Sequence, residues 1–257
     1  MTIKDYSVSQ EKFTLVYDSV LELYRTNPVP DELSKYYESE AYISHTDSRK
    51  TLFDRLYQWV KSYNLKHKIA LIKQYKKENI HLLDIGAGTG DFVLSSKKYA
   101  HWEAMGIEPS EKARAKAEEK GLLLQADFSE LLPHSFDVIT MWHVLEHVPD
   151  VTQEIQIISK LLKKDGIAVI AVPNYRSWDA QHYKEHWAAY DVPRHLWHFS
   201  KKSIEQFFAK EGFHLLATHP MLFDAFYVSM LSEQYKTGKK SFLKGCLLYT
   251  SPSPRDS

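Results

Sequence analysis

Three glycines at alternate positions, Gly86, Gly88 and Gly90, follow the short apolar run Leu82-Leu83-Asp84-Ile85, whose one carboxylate stands just ahead of the loop. Alternate glycines let a backbone approach a ligand closely at a strand end, where open parallel sheets bind their ligands. A dinucleotide fingerprint of the form G-x-G-x-x-G would need glycine at position 91, which is Asp91. Asp84, placed before the loop, suits a cationic amino group better than a pyrophosphate. Glu108 ends the next apolar run, 24 residues after Asp84, near the separation expected of an acid that binds ribose hydroxyls. A solvated loop acid is the alternative reading of Glu108.

Two further stretches could do chemistry. After the apolar run Phe136 to Met141 come Trp142, His143, Glu146 and His147. The two histidines are four apart, a spacing that puts them on one helical face and could ligate a metal. No third ligand is spaced to join them, so no metal is expected, and His147 reads as a loop brace or as a wall of an acceptor pocket. The second stretch runs from Val172 through Trp178 and Asp179 to His186-Trp187, Tyr190-Asp191 and Pro193-Arg194-His195-Leu196-Trp197-His198-Phe199. Aromatic walls with a few polar groups make a small-molecule pocket, here with Trp187, Tyr190, Asp191 and Arg194 as substrate contacts. His195 is the candidate general base, since imidazole is the side chain most often used for that work. The competing structural reading pairs Arg194 with Asp191 and makes His195 a buried brace.

The elements that must position these residues follow from periodicity. Short apolar runs at 81–85, 104–107, 122–126, 136–141, 167–172 and 215–218 alternate with helical stretches, which implies a parallel sheet with helices on both faces. Residues 1–78 are expected to form a helical N-terminal cap, with a break at Thr26 to Pro30, another at Ser44 to Ser48, and helical spacing from Thr51 to Lys77. Residues 79–245 form the catalytic domain in this reading. The tail Cys246 to Ser257 resembles the translation of a transposase sequencing adapter and is set aside as 246–257; a natural Ser/Pro-rich end is the alternative.

Composition narrows the class. Lys plus Arg and Asp plus Glu each number 33, so the formal net charge is +0 and a strongly basic nucleic-acid binder is disfavoured, although a local patch is left open. One cysteine, Cys246, excludes an internal disulfide framework and a multi-cysteine zinc site. No apolar run approaches the roughly 18 residues of a membrane helix, and Met1 to Tyr6 is no charged n-region, so a cytoplasmic protein is expected.

Asp84-x-Gly86-x-Gly88-x-Gly90, Glu108, Ala126-Asp127-Phe128 and Phe136 to Asp150, in that order, resemble the class I S-adenosylmethionine-dependent methyltransferases. The branch most similar includes quinone-biosynthesis O-methyltransferases and bacterial glycan-associated methyltransferases, whose acceptor-side segment Trp187 to Phe199 resembles. The resemblance implies a Rossmann-like α/β fold and S-adenosylmethionine as cofactor. It also implies that Asp84 faces the cofactor's amino group through the loop Gly86, Ala87, Gly88 and Gly90. Glu108 then accepts both ribose hydroxyls, Asp127 the adenine amine with Phe128 lining that pocket, while Trp142 and His143 close over the methionine portion. The expected activity is O-methylation of a small-molecule or glycan acceptor, with His195 as first candidate base and His147 as second. An NAD(P)-dependent oxidoreductase and a non-catalytic cofactor-binding module are the rivals. Phe13 to Pro30 also resembles a segment of related enzymes that begin with a zinc ribbon, with Asp18 and Leu21 where thiols would stand. Tyr36 to Ser39 and Tyr42 to His45 resemble a lid over the cofactor. The family's sheet closes with an antiparallel strand for which this chain offers no segment after Thr218, since Met221 to Leu231 has helical spacing.

Overall fold

The computed structural model describes residues 1–37, 52–77 and 79–238, with 52–60 described as backbone only. Glu38, Ser39, Tyr42 to His45, the turn at Ser44 to Ser48, Glu78 and the tail from Cys246 lie outside the described residues. The chain forms two compact units, Met1–His45 with Glu146–Pro149 and Pro173–Ser257, and Thr46–Leu145 with Asp150–Val172. The boundary expected after residue 78 does not separate them.

In the first unit, strands β1 (Thr2–Lys4), β2 (Lys12–Asp18) and β3 (Leu23–Asn27) form an antiparallel sheet completed by β8 (Trp197–His198). The expected helical cap is thus corrected over residues 2–27. The cause is a period of two: Phe13 and Leu15 are buried while Lys12, Thr14 and Val16 between them are exposed, and a strand alternates sides where a helix does not. The pairing of Tyr24 with His198 and of Arg25 with Trp197 explains why local pattern reading missed the sheet, because its fourth strand comes from the far end of the sequence. Two carboxylates close the turns. Asp5 accepts from the backbone amides of Ser7, Val8 and Ser9, and Asp18 from those of Val20 and Leu21, each at 3.0 Å. Helix α5 (Trp178–Tyr183) and the turns after it pack Tyr183, Trp187, Tyr190 and Val192 on Ile3, Phe13 and Leu15. Helices α6 (Lys201–Lys210), opened by a reciprocal Ser200–Ser203 capping box, and α7 (Leu222–Thr237) complete the unit.

The second unit is the expected parallel sheet, in the order β5 (Glu103–Ile107), β4 (His81–Ile85), β6 (Phe136–Trp142), β7 (Leu162–Ala171). Chain order reverses at β4, whose neighbours β5 and β6 are added on opposite sides, and such switch points open a crevice at the strands' carboxyl ends. Leu82, Ala104 and Val138 share one core with Ile69 and Ile72 of α1 (Leu52–Lys73) and Phe92 and Val93 of α2 (Asp91–Ala100). Alternating with them, Leu83, Ile139 and Met141 are buried on the other side. Helix α3 (Glu111–Glu118) is capped by Ser110, and α4 (Val151–Leu161), capped by Asp150, buries Val151, Ile155, Ile158 and Leu161.

Two expected strands are corrected. Residues 122–126 contribute a single bridge, Gln125 to Ile107, because Leu122 turns into the helical core beneath Gly90. Residues 215–218 are irregular, with Leu215 and Leu216 at 55% and 68% exposure, since no strand among the described residues lies beside them to pair. Among the described residues β7 pairs with β6 alone.

Candidate active site

The glycine loop leaves β4 at Ile85 and enters α2 at Gly90. Gly86 has φ 71°, and a Cβ there would lie 2.4 Å from a Val144 methyl, so any side chain would strain the backbone and displace Val144. Gly88 has φ 55° with nothing within 4 Å of where a Cβ would stand, which leaves its outer side open to a ligand. Its amide donates to Glu108 Oε2 at 2.8 Å, and the Ser110 amide donates to Oε1 at 2.8 Å. Glu108 is therefore fixed at the end of β5 with lone pairs remaining on both oxygens, the capacity a ribose diol needs. Ala87 is buried and ties the loop to β5 through its amide and the Ile107 carbonyl.

Asp84 lies at 3% exposure on β4 and accepts from Thr140 Oγ1 at 2.6 Å. Burial pushes its carboxyl up to about 7, against the opposing pull of Thr140 and the Lys68 ammonium and with a smaller push from Glu108. Asp91, the residue that breaks the dinucleotide pattern, is bound at 2.9 Å by both Lys61 and Lys120. Burial alone would raise its carboxyl, yet these two ammoniums hold it below the usual range. Asp127 is exposed at the start of a short turn, where it accepts from the Ser129 amide at 2.8 Å, and Phe128 beside it is half-buried. Trp142 sets its ring edge against Phe92 at 5.4 Å and lies under Lys68 at 4.3 Å; its Nε1 is buried with no hydrogen-bond partner among the described residues. His143 has φ 59°, and its amide donates to Ala171. Asp84, the loop, Glu108, Trp142 and His143 thus gather at the carboxyl ends of β4, β5 and β6.

The remaining candidates belong to the first unit. His195 Nδ1 lies 2.9 Å from the Ala189 carbonyl, which can only accept, so Nδ1 carries the proton and Nε2 keeps its lone pair. That Nε2 is 3.9 Å from Asp191 Oδ2 and 4.0 Å from Glu146 Oε1. His147 Nδ1 likewise faces the Arg194 carbonyl at 3.0 Å, with the Tyr37 hydroxyl also at 3.0 Å. Burial, then the neighbouring His195, pushes His147 down to about 4. One ligand-capable atom from each of Glu146, His147 and His195 lies within 4.8 Å of the others, the spacing a cation could span. The histidine that joins His147 in this set is His195, not the His143 four residues before it.

Arg194 is placed as the structural reading has it. It is fully buried; Nε donates to Asp191 at 2.9 Å, Nη1 to the Tyr36 carbonyl at 3.1 Å, and Nη2 to Asp5 at 3.1 Å and to Ser7. Trp187 and Tyr190, expected as pocket walls, meet edge to face at 5.0 Å within the core of this unit and are at most 5% exposed. Arg194 thus has these donors on protein acceptors, and the Trp187 and Tyr190 rings pack in this core, the arrangement that the framework reading describes; Trp187 Nε1 is buried with no hydrogen-bond partner among the described residues. Sequence reasoning missed that Glu146 and Asp5 join these clusters; the adjacency of Glu146 to His147 was the one available signal.

A glycine loop at a switch point, an acid clamped after the next strand and a buried carboxylate beside them are the parts of a nucleotide-binding type of α/β domain. The chain belongs to the class I S-adenosylmethionine-dependent methyltransferases: the family model described as a methyltransferase domain matches residues 55–218, more than half of it. Ubiquinone biosynthesis O-methyltransferases are similar in sequence. That of Pelagibacter ubique is 39% identical over 107 residues, covering 38% of this chain and 43% of the relative. That of Neisseria meningitidis is 30% identical over 104 residues, covering 36% and 44%. The chain thus matches less than half the length of these relatives. Among solved structures, phosphoethanolamine N-methyltransferase 2 of Haemonchus contortus with S-adenosylmethionine has a TM-score of 0.57 at 16% identity, over 98% of this chain and 65% of that one. Magnesium protoporphyrin IX methyltransferase of Synechocystis with bound S-adenosylhomocysteine has a TM-score of 0.53 at 17% identity, over 73% and 90%. Both share the fold.

Proposed function

We propose that the protein methylates a hydroxyl of a small-molecule or glycan acceptor. The observation that carries the cofactor half is Glu108, held by two backbone amides beside the open side of Gly88. In this reading Asp84 holds the cofactor's ammonium, Glu108 its ribose hydroxyls, Asp127 and Phe128 its adenine, and Trp142 and His143 its methionine portion. S-adenosylmethionine supplies a methyl group already activated on a sulfonium. The protein then has mainly to align the acceptor, exclude water and remove one proton.

His195 is the base. Its Nδ1 proton is pinned to Ala189, its Nε2 is left basic, and Glu146 and Asp191 on either side favour the imidazolium that forms. His147, pushed down to about 4, is a weaker proton acceptor and takes second place. The similarity to O-methyltransferases supports oxygen as the methylated atom.

Calorimetry with S-adenosylmethionine and NAD, followed by incubation with methyl-labelled cofactor and fractionated extract of the host, tests the reading. Mass spectrometry of the labelled product identifies the methylated atom. Tighter binding of NAD, or label found only on nitrogen or carbon, would overturn it.

A further inference from the structure

The balanced net charge hides a one-signed surface on the second unit. Residues 61–77 carry six lysines and no acid. In residues 91–101 the one acid, Asp91, is bound by Lys61 and Lys120. Along α1 the side chains of Tyr63, Lys66, His67 and Lys73 are exposed at spacings of three, four and seven, one helical face, while Ile69 and Ile72 turn to the core. Lys97, Lys98 and Tyr99 are exposed on α2. The two helices present these residues side by side, since the ammoniums of Lys66 and Lys98 lie 5.0 and 5.2 Å from the centre of the same Tyr99 ring. The ten helical rises from Tyr63 to Lys73 make this stripe about 15 Å long.

We propose that this α1/α2 face docks on an anionic lipid surface. Charge complementarity requires an anionic partner, and three features select a membrane over a nucleic acid. The cations are all lysine, compact point charges suited to a diffuse field, whereas recognition of individual phosphates favours the bidentate fork of arginine. The tyrosines Tyr63 and Tyr99, at 47% and 42% exposure, set half-buried rings with polar tips among the ammoniums, which matches the headgroup layer. Both rings also already have neighbours, Tyr99 two ammoniums and Tyr63 the His67 ring 8° from parallel, which leaves less ring for a base to stack on.

Co-sedimentation of the full chain with phosphatidylcholine vesicles, with and without phosphatidylglycerol, tests this. Retention is expected only with phosphatidylglycerol and should fall as salt is raised. Neutralising one lysine costs roughly fivefold, the equivalent of about 1 kcal/mol, so the double variant Lys66→Gln/Lys98→Gln should bind such vesicles about 25-fold more weakly. Its unfolding temperature and its affinity for S-adenosylmethionine should match the parent's, which separates lost docking from lost fold. No retention on phosphatidylglycerol vesicles at low salt, undiminished retention of the variant, or tighter lysine-dependent binding of single-stranded RNA than of vesicles overturns the proposal.

Discussion

Replacing Asp84 by Asn should stabilise the cofactor-free protein while abolishing its grip on the cofactor. Asp84 is 3% exposed and its one described hydrogen bond comes from Thr140. An asparagine keeps the carbonyl oxygen that Thr140 needs and sheds the charge. Burial raises the carboxyl from 3.8 to about 7. A folded value above the unfolded one means stability that is fully present below the unfolded value and is lost as pH rises through the folded one. From this shift, ionised Asp84 costs the folded protein at most about 4 kcal/mol at alkaline pH, at about 1.4 kcal/mol per unit. Urea unfolding without cofactor should therefore show Asp84→Asn more stable than the parent at about pH 8, with the gap closing towards about pH 4. An ammonium beside the carboxylate reverses the balance, so parental affinity for S-adenosylmethionine should fall about tenfold per pH unit below about 7, and the variant should lose both affinity and pH dependence. Equal stability of parent and variant at alkaline pH, or a variant that still binds the cofactor tightly, would refute the role of Asp84.

Glu108→Ala should weaken S-adenosylmethionine binding by roughly 1.5 to 3 kcal/mol in calorimetry, the range for hydrogen bonds to a charged group, and unchanged affinity would remove Glu108 from the ribose site. His195→Gln should leave cofactor affinity within about twofold and lower turnover by roughly 10² to 10⁴. An active variant with an unaltered acid limb of its pH–rate profile would move the role elsewhere. Arg194→Met strands the buried Asp5 and should destabilise the protein by about 3 to 5 kcal/mol, read by thermal unfolding. Asp5 is held down to about 2, because hydrogen bonds from Ser9 and Arg194 outweigh its burial; its contribution is therefore present above about pH 4 and lost on acidification through about 2, a loss the variant should not show.

Signals that are local and periodic were readable without coordinates. The runs at 81–85, 104–107 and 136–141 became β4, β5 and β6 because each is short, apolar and bounded by a helical pattern, and Met221 to Leu231 became the start of α7 by its spacing. The N-terminal sheet was not readable as such. Phe13 and Leu15 alternate as a strand should, but a strand becomes stable by what lies beside it, and β8 is two residues long and some 170 positions away. Residues 215–218 failed in the opposite sense: an apolar run is a strand only where its backbone finds a neighbour to pair with, and this one pairs with no described strand.

The cofactor side was legible because its chemistry constrains residue type at fixed places. Only glycine satisfies position 86, where backbone handedness and Val144 act together, and only an acid satisfies position 108, where two amides converge. The acceptor side was half legible because composition carries no direction. Trp187, Tyr190, Arg194 and His195 are the same residue types whether they line a pocket or brace a core. Sequence could name both readings and not choose between them. What separates His195 from its neighbours is the accounting of its two nitrogens: Nδ1 is spent on a carbonyl, and Nε2 sits near two carboxylates that would welcome a proton. Arg194, with its donors spent on protein acceptors, holds that arrangement in place, since its carbonyl orients His147 and its guanidinium orients Asp191. The proposed base and the residues that hold it are interleaved within five positions, from Asp191 to His195, and only partners distant in sequence distinguish the two.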